Sequence, residues 1–96
     1  MLELLIRPRA ARDFMDIWAY TAEQWGAVQA DQYLHDIDRE IQGLLKFPEM
    51  GAPHDSVRTN YRALHVKSHL VFYLRKGQRL EIVRVLHESM NVKSHL

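Results

Sequence analysis

The spacing of apolar positions changes twice along the chain. Leu2, Leu4 and Ile6 alternate, and a two-residue period places them on one face of a short strand, Leu2–Arg7. Pro8 ends that strand and suits the first turn of a helix. From Pro8 to Trp25 the spacing becomes threes and fours, through Ala10, Phe14, Ile17, Trp18, Thr21 and Trp25, while Arg12, Asp13, Asp16 and Glu23 fall mostly on other faces. Gly26 interrupts the run as a helix C-terminus prefers. A second helix is predicted over Ala27–Lys46, with Ala30, Tyr33, Leu34, Ile37, Ile41, Leu44 and Leu45 as its apolar stripe. Asp31, Asp36, Arg39 and Glu40 make its solvated face, and Phe47-Pro48 stops it. Two helices joined at one glycine form an antiparallel hairpin. Trp18, Tyr20 and Trp25 are expected in its core, where aromatics at helical spacing usually sit.

Glu49–Ser56 is rich in helix and strand breakers and reads as a loop. Three runs of β-branched, aromatic and aliphatic residues follow: Tyr61–Val66, His69–Arg75 and Leu80–Met90. Lys67-Ser68 is a candidate tight turn, and Lys76-Gly77-Gln78 suits a hairpin loop. Asn91–Leu96 is short and polar and is expected to fray. The string Val-Lys-Ser-His-Leu occurs at 66–70 and again at 92–96, too short to define a repeat unit. The expected fold is α+β: an N-terminal strand, an antiparallel helical hairpin, then a three-stranded antiparallel meander, in one domain over residues 1–96.

Charge alters this picture more than composition does. The net charge of +1 hides a division along the chain. From Arg58 to Leu96 eight bases stand against two acids, a balance of +6, and from Met1 to Val57 five bases stand against ten acids, a balance of −5. Such polarity points to an acidic partner for the sheet region. Lys and Arg on strands also discourage edge-to-edge association, which competes as an explanation. There is no Cys, so disulfides, thiol nucleophiles and thiolate metal sites are excluded. No apolar run approaches the roughly 20 residues that span a bilayer, and Leu2–Ile6 is too short for a signal peptide. A cytoplasmic protein with no membrane association is expected.

Candidate chemistry is sparse. No histidine pair has metal-ligand spacing on a helix, and neither a Gly-rich phosphate loop nor a nucleophile motif occurs, so neither metal nor cofactor is expected. Ribonuclease chemistry stays open, because it needs a base or acid for the 2′-hydroxyl, cations for the phosphate, and positioning. Tyr61, Arg62, Lys67, Arg84 and His87 supply those types. Strand alternation sends Arg84 and His87 to opposite faces unless a bulge intervenes.

Ala11–Tyr20, Trp25-Gly26, Ala30–Tyr33, Pro48-Glu49-Met50-Gly51, Tyr61-Arg62, His69–Tyr73 and above all Ile82-Val83-Arg84-Val85-Leu86-His87-Glu88-Ser89-Met90-Asn91 resemble, in order, the ParE branch of the RelE/ParE toxin superfamily. The resemblance implies the toxin of a type II toxin–antitoxin system that binds and inhibits DNA gyrase. It also implies a ParD-like antitoxin that wraps the toxin and carries the operator DNA contact for the complex. Relatives of the RelE type instead cut mRNA on the ribosome, and a degenerate toxin would only bind antitoxin. The nuclease pattern is thin here: central positions are apolar at Leu64 and Leu70, Arg62 is one basic match, Ser89 stands near a late Arg, and no Tyr follows Tyr73. Binding is therefore favoured over catalysis, with Arg62, Lys67, Arg84, His87 and Met90 as target contacts. Arg62 and His87 would be the catalytic pair of a nuclease.

Overall fold

A computed structural model describes Met1–Leu96. Strand β1 (Glu3–Ile6) leads through Arg7 into helix α1 (Pro8–Trp25), with Pro8 in the first turn. Helix α2 (Ala27–Lys46) follows after the single residue Gly26. Gly26 closes one helix and opens the next: its N–H bonds Ala22 O at 2.8 Å, and its carbonyl accepts from Ala30 N at 3.1 Å. Its φ of 92° is one that side-chain-bearing residues rarely adopt. Then come β2 (Ala52–Pro53), β3 (Arg62–Val66), β4 (His69–Lys76), β5 (Arg79–His87) and a terminal helical turn, α3 (Val92–His95).

The meander is present and is extended at both edges. The sheet has five strands in the order β1-β5-β4-β3-β2. β1 pairs parallel with β5, Glu3 opposite Arg79 and Ile6 opposite Ile82, so the first strand of the chain completes the last. β2 adds two residues to β3 inside the stretch expected to be loop. Its Pro53 is tolerable because β2 is an edge. Both hairpin loops have two residues. Lys67-Ser68 joins Val66 to its partner His69, and Gly77-Gln78 joins Lys76 to Arg79, one residue tighter than the sequence suggests. The first residue of each loop has positive φ, 53° at Lys67 and 64° at Gly77.

Both helices cover one face of the sheet. Ile17, Ile37, Ile41 and Leu44 pack with Val66, Val71, Tyr73, Leu80, Ile82 and Val85. Phe72, Ala63 and Leu86 point the other way and are covered by Val92 and Leu96. The C-terminal segment is thus a packed turn rather than a frayed end. Asn91 caps it by accepting from Lys93 N at 3.1 Å, and its apolar residues close a second, smaller core. The hairpin aromatics also depart from expectation: Trp25 is 75% and Tyr20 66% exposed, and Trp18 lies at the surface donating to Asp31 Oδ1 at 2.8 Å. The fully buried α1 residues are smaller, Ala10, Ile17 and Thr21, together with one acid, Asp13, while Phe14 packs half-buried against the core.

Candidate functional site

That acid organises the region where the basic residues gather. β1 stops at Ile6, so β5 loses its neighbour beyond Ile82. The pairing of β4 with β5 slips at the same point: Tyr73 faces Ile82 and Phe72 faces Arg84, leaving Val83 as an extra residue in β5. The bulge switches the strand's alternation, so that Leu80, Ile82 and Val85 share the helix-side core while Arg84 follows the other face. Asp13, one turn into α1, fills the gap left by β1. Its Oδ2 accepts from Val85 N at 2.9 Å and from Arg84 Nε at 2.8 Å, and its Oδ1 accepts from Arg84 Nη2 at 3.0 Å. Arg84 Nη1 donates to His95 O at 2.7 Å, which ties the C-terminal turn to the same point. Arg84, expected to contact a target, is 8% exposed and already bonded to these partners.

Arg62 lies at the opposite end of the meander. Its Nη1 donates to Gly51 O at 2.7 Å and to Glu49 O at 3.3 Å. Tyr73 clamps the same loop from the sheet, donating to Pro48 O at 2.6 Å and accepting from Gly51 N at 2.9 Å. Burial raises the Tyr73 phenol pKa, so it stays a donor. Gly51 has to be glycine for space, since a Cβ would lie 2.6 Å from Tyr73 Oη.

A cluster of titratable groups surrounds the Lys67-Ser68 turn. Tyr33 Oη lies 2.7 Å from His69 Nδ1, and the His69 ring meets the His87 ring edge to face at 5.3 Å. Burial and the neighbouring His87 both lower the His69 pKa, in that order. His87 Nδ1 lies 2.7 Å from Ser89 Oγ, and His65 Nε2 is 2.7 Å from Glu88 Oε2. Lys67 pairs with Asp36 at 3.1 Å and lies over the Tyr33 ring. Met90 follows on the next turn, 45% exposed.

The structure therefore divides the residues singled out from sequence. Lys67, His87 and Met90 come together. Arg62 stands apart: it lies on the Tyr73 rung of the sheet while His87 lies on the Val66 rung, four residues along β3, or about 13 Å. Asp13, Tyr33 and His69 were not selected by sequence reasoning. For Asp13 a signal existed, because it lies three residues after Ala10 and four before Ile17, inside the apolar stripe.

Residues 4–92 match the family model described as ParE toxin of type II toxin-antitoxin system, parDE. The chain belongs to the ParE toxin family. It is 44% identical over 88 residues to Toxin ParE1 of Caulobacter vibrioides, covering 92% of this chain and 91% of that one. To Toxin ParE1 of Mycobacterium tuberculosis it is 37% identical over 93 residues, covering 96% and 95%. A solved structure of the chromosomal ParDE toxin–antitoxin system from P. aeruginosa superposes with a TM-score of 0.80 at 22% identity, over 91% of this chain and 96% of that one, and shows the same fold. This toxin accordingly has an antitoxin as partner. No helix in it is long and apolar enough to cross a membrane.

Proposed function

We propose that this toxin, acting in the cytoplasm as a single domain over residues 1–96, arrests growth by binding and inhibiting DNA gyrase. A ParD-like antitoxin neutralises it, and operator DNA is met only through the antitoxin. The observation that carries inhibition by binding is the dispersal of the groups a nuclease would need. Arg62 and His87 are four residues apart along the strands and two strands apart across them, about 16 Å in all, beyond the reach of one scissile phosphate. Arg84, the other strand cation among the candidates, is bonded to Asp13 and to the His95 carbonyl. What remains is a surface of Lys67, His87 and Met90 with Arg62 beyond it, suited to contact with an acidic partner. The test is DNA supercoiling by purified gyrase with increasing toxin, with and without antitoxin. Inhibition relieved by antitoxin is the expected result, and full supercoiling at saturating toxin would overturn the reading.

One observation favours ribosome-dependent mRNA cleavage. His69 and His87 meet edge to face beside the Lys67 turn, and His69 is biased toward its neutral, proton-accepting form. Primer extension on translated mRNA decides it: toxin-dependent cuts lost in His87→Gln would establish a nuclease. Neither inhibition nor cleavage would leave antitoxin binding as the remaining activity.

A further inference from the structure

A second basic feature lies away from the Lys67 turn. Arg7, Arg9, Arg58, Arg84, Tyr61 and His95 line a cleft of about 470 Å³, floored by the bulge residue Val83. Four separate parts of the chain deliver these groups: the start of α1, the segment before β3, β5 and the C-terminal turn. No carboxylate side chain lines the cleft. The acids nearest to hand lie behind it. Glu81 holds Arg7 at 2.8 Å, and Asp13 holds Arg84 at 2.8 Å with Arg9 at 3.9 Å. Among the side chains that line or back the cleft, four guanidinium groups stand against two carboxylates, of which Glu81 also holds Arg79. Arg58 is exposed and has no side-chain partner within the chain, and Arg9 has only its long contact to Asp13.

The cleft also holds the start of an 18-residue helix whose N-terminus is left unbalanced. No side chain caps α1, and no acid occurs in its first turn. Arg9 stands there instead, a cation at the positive end of the helix dipole. Folding alone would favour an acid at that place. An anion from outside would relieve the conflict, with Arg9 and Arg58 as guanidinium forks.

We propose that this cleft binds a phosphate group carried by a nucleotide or by a nucleic-acid strand. Arg9 and Arg58 take the phosphate oxygens, and the half-buried Tyr61 ring forms a flat wall for the attached sugar or base. Arg7 and Arg84, held by Glu81 and Asp13, set the shape and potential of the cleft rather than closing on the ligand. The site is independent of which target the toxin arrests, since it shares no residue with the Lys67 turn.

The experiment is titration of the full-length toxin with AMP, adenosine and a short single-stranded oligonucleotide at low salt. The double variant Arg9→Ala/Arg58→Ala is compared with Arg39→Ala/Lys46→Ala, which removes the same charge from α2. AMP is expected to bind and adenosine not. The first variant should lose about tenfold or more in affinity, and the second less than about twofold. Both pairs are exposed, and equal melting temperatures verify folding. Binding of the oligonucleotide alone, lost in the same variant and weakened by salt, would support the proposal with a backbone phosphate as the source. Equal affinity for AMP and adenosine, or an unaltered double variant, would overturn it. So would an oligoglutamate peptide that binds more tightly than either phosphate ligand and depends on the same arginines.

Discussion

Replacing Asp13 by alanine is expected to cost about 3–5 kcal/mol, the range for removing one partner of a buried ion pair. Both side chains are nearly inaccessible, 7% for Asp13 and 10% for Arg84. The substitution leaves the Arg84 guanidinium with only the His95 carbonyl, and it also strands the Val85 N–H, which no strand covers. A domain of this size is stable by only about 5–15 kcal/mol, so the loss takes a large share. At about 4–8 °C per kcal/mol for a chain of this length, the melting temperature should fall by roughly 12–40 °C. Asp13→Leu/Arg84→Met removes both charges together and should recover most of the loss, because a buried pair replaced by apolar groups is often nearly neutral. The residue of about 1–3 kcal/mol is the unsatisfied Val85 N–H. Urea denaturation followed by circular dichroism measures all three proteins. A cost below about 1 kcal/mol for Asp13→Ala, well short of what breaking a buried pair takes, would refute the view of Asp13 as a substitute for the missing strand. The same experiment bears on toxicity, since loss of activity in Arg84→Ala has to be separated from loss of fold.

Tyr73→Phe should destabilise by about 1–3 kcal/mol, because the Gly51 N–H and the Pro48 carbonyl lose one shared partner, and Gly51→Ala should cost at least about 1–3 kcal/mol through its clash with the Tyr73 hydroxyl; thermal melts of both variants provide the check. His69 has a folded pKa below its ordinary value, through burial first and His87 second, so its contribution to stability is full above about pH 6.5 and is lost as pH falls through the folded value. The urea midpoint should drop between neutral and mildly acidic pH, and His87→Gln should flatten that drop; a variant with the unchanged slope would show that His87 is not a cause. Arg62→Ala/Lys67→Ala should weaken target binding more than Arg39→Ala/Lys46→Ala, by tenfold or more if one charge-assisted contact of about 1.5–3 kcal/mol is lost. Pull-down with purified gyrase at matched folding measures this, and equal losses would count against a basic target face.

The elements that sequence makes legible are those with a long apolar period. Helix α2 shows its stripe of Ala30, Ile37, Ile41 and Leu44 plainly because all four are buried on one side of it. The parts that stay hidden depend on partners far along the chain. Nothing near Leu4 says that it will lie parallel to Leu80. The Val83 bulge is invisible locally, since Ile82-Val83-Arg84-Val85 alternates well enough without it. Asp13 stands at stripe spacing, but what an acid does there shows only once β1 is known to stop short of Val85. The pentapeptide Val-Lys-Ser-His-Leu shows the same dependence. At 66–70 it is the end of a strand, a tight turn and the start of the next strand, and at 92–96 it begins as a helical turn. Burial decides between them: the first copy puts Val66 under the helices, and the second puts Val92 and Leu96 over Phe72 and Leu86. Lys67 and His87 are singled out by their chemistry and Met90 by the resemblance, and all three come to one end of the meander, whereas Arg9 and Arg58 meet Arg84 only through the completed sheet.

The parallel pairing of β1 with β5 also sets the timing of the molecule's birth. Glu3 waits for Arg79, and Asp13 waits for Val85, 72 residues later. At about 5–20 residues per second, the helices are synthesised roughly 2–8 s before the end of β5. In that interval Ile37, Ile41 and Leu44 have no sheet to cover them. Closure over so long a separation is slow even once the chain is whole. A nascent chain cut off before Arg79 is therefore expected to be harmless to the cell and quickly degraded, and the protein becomes a poison only when its final strand has been made.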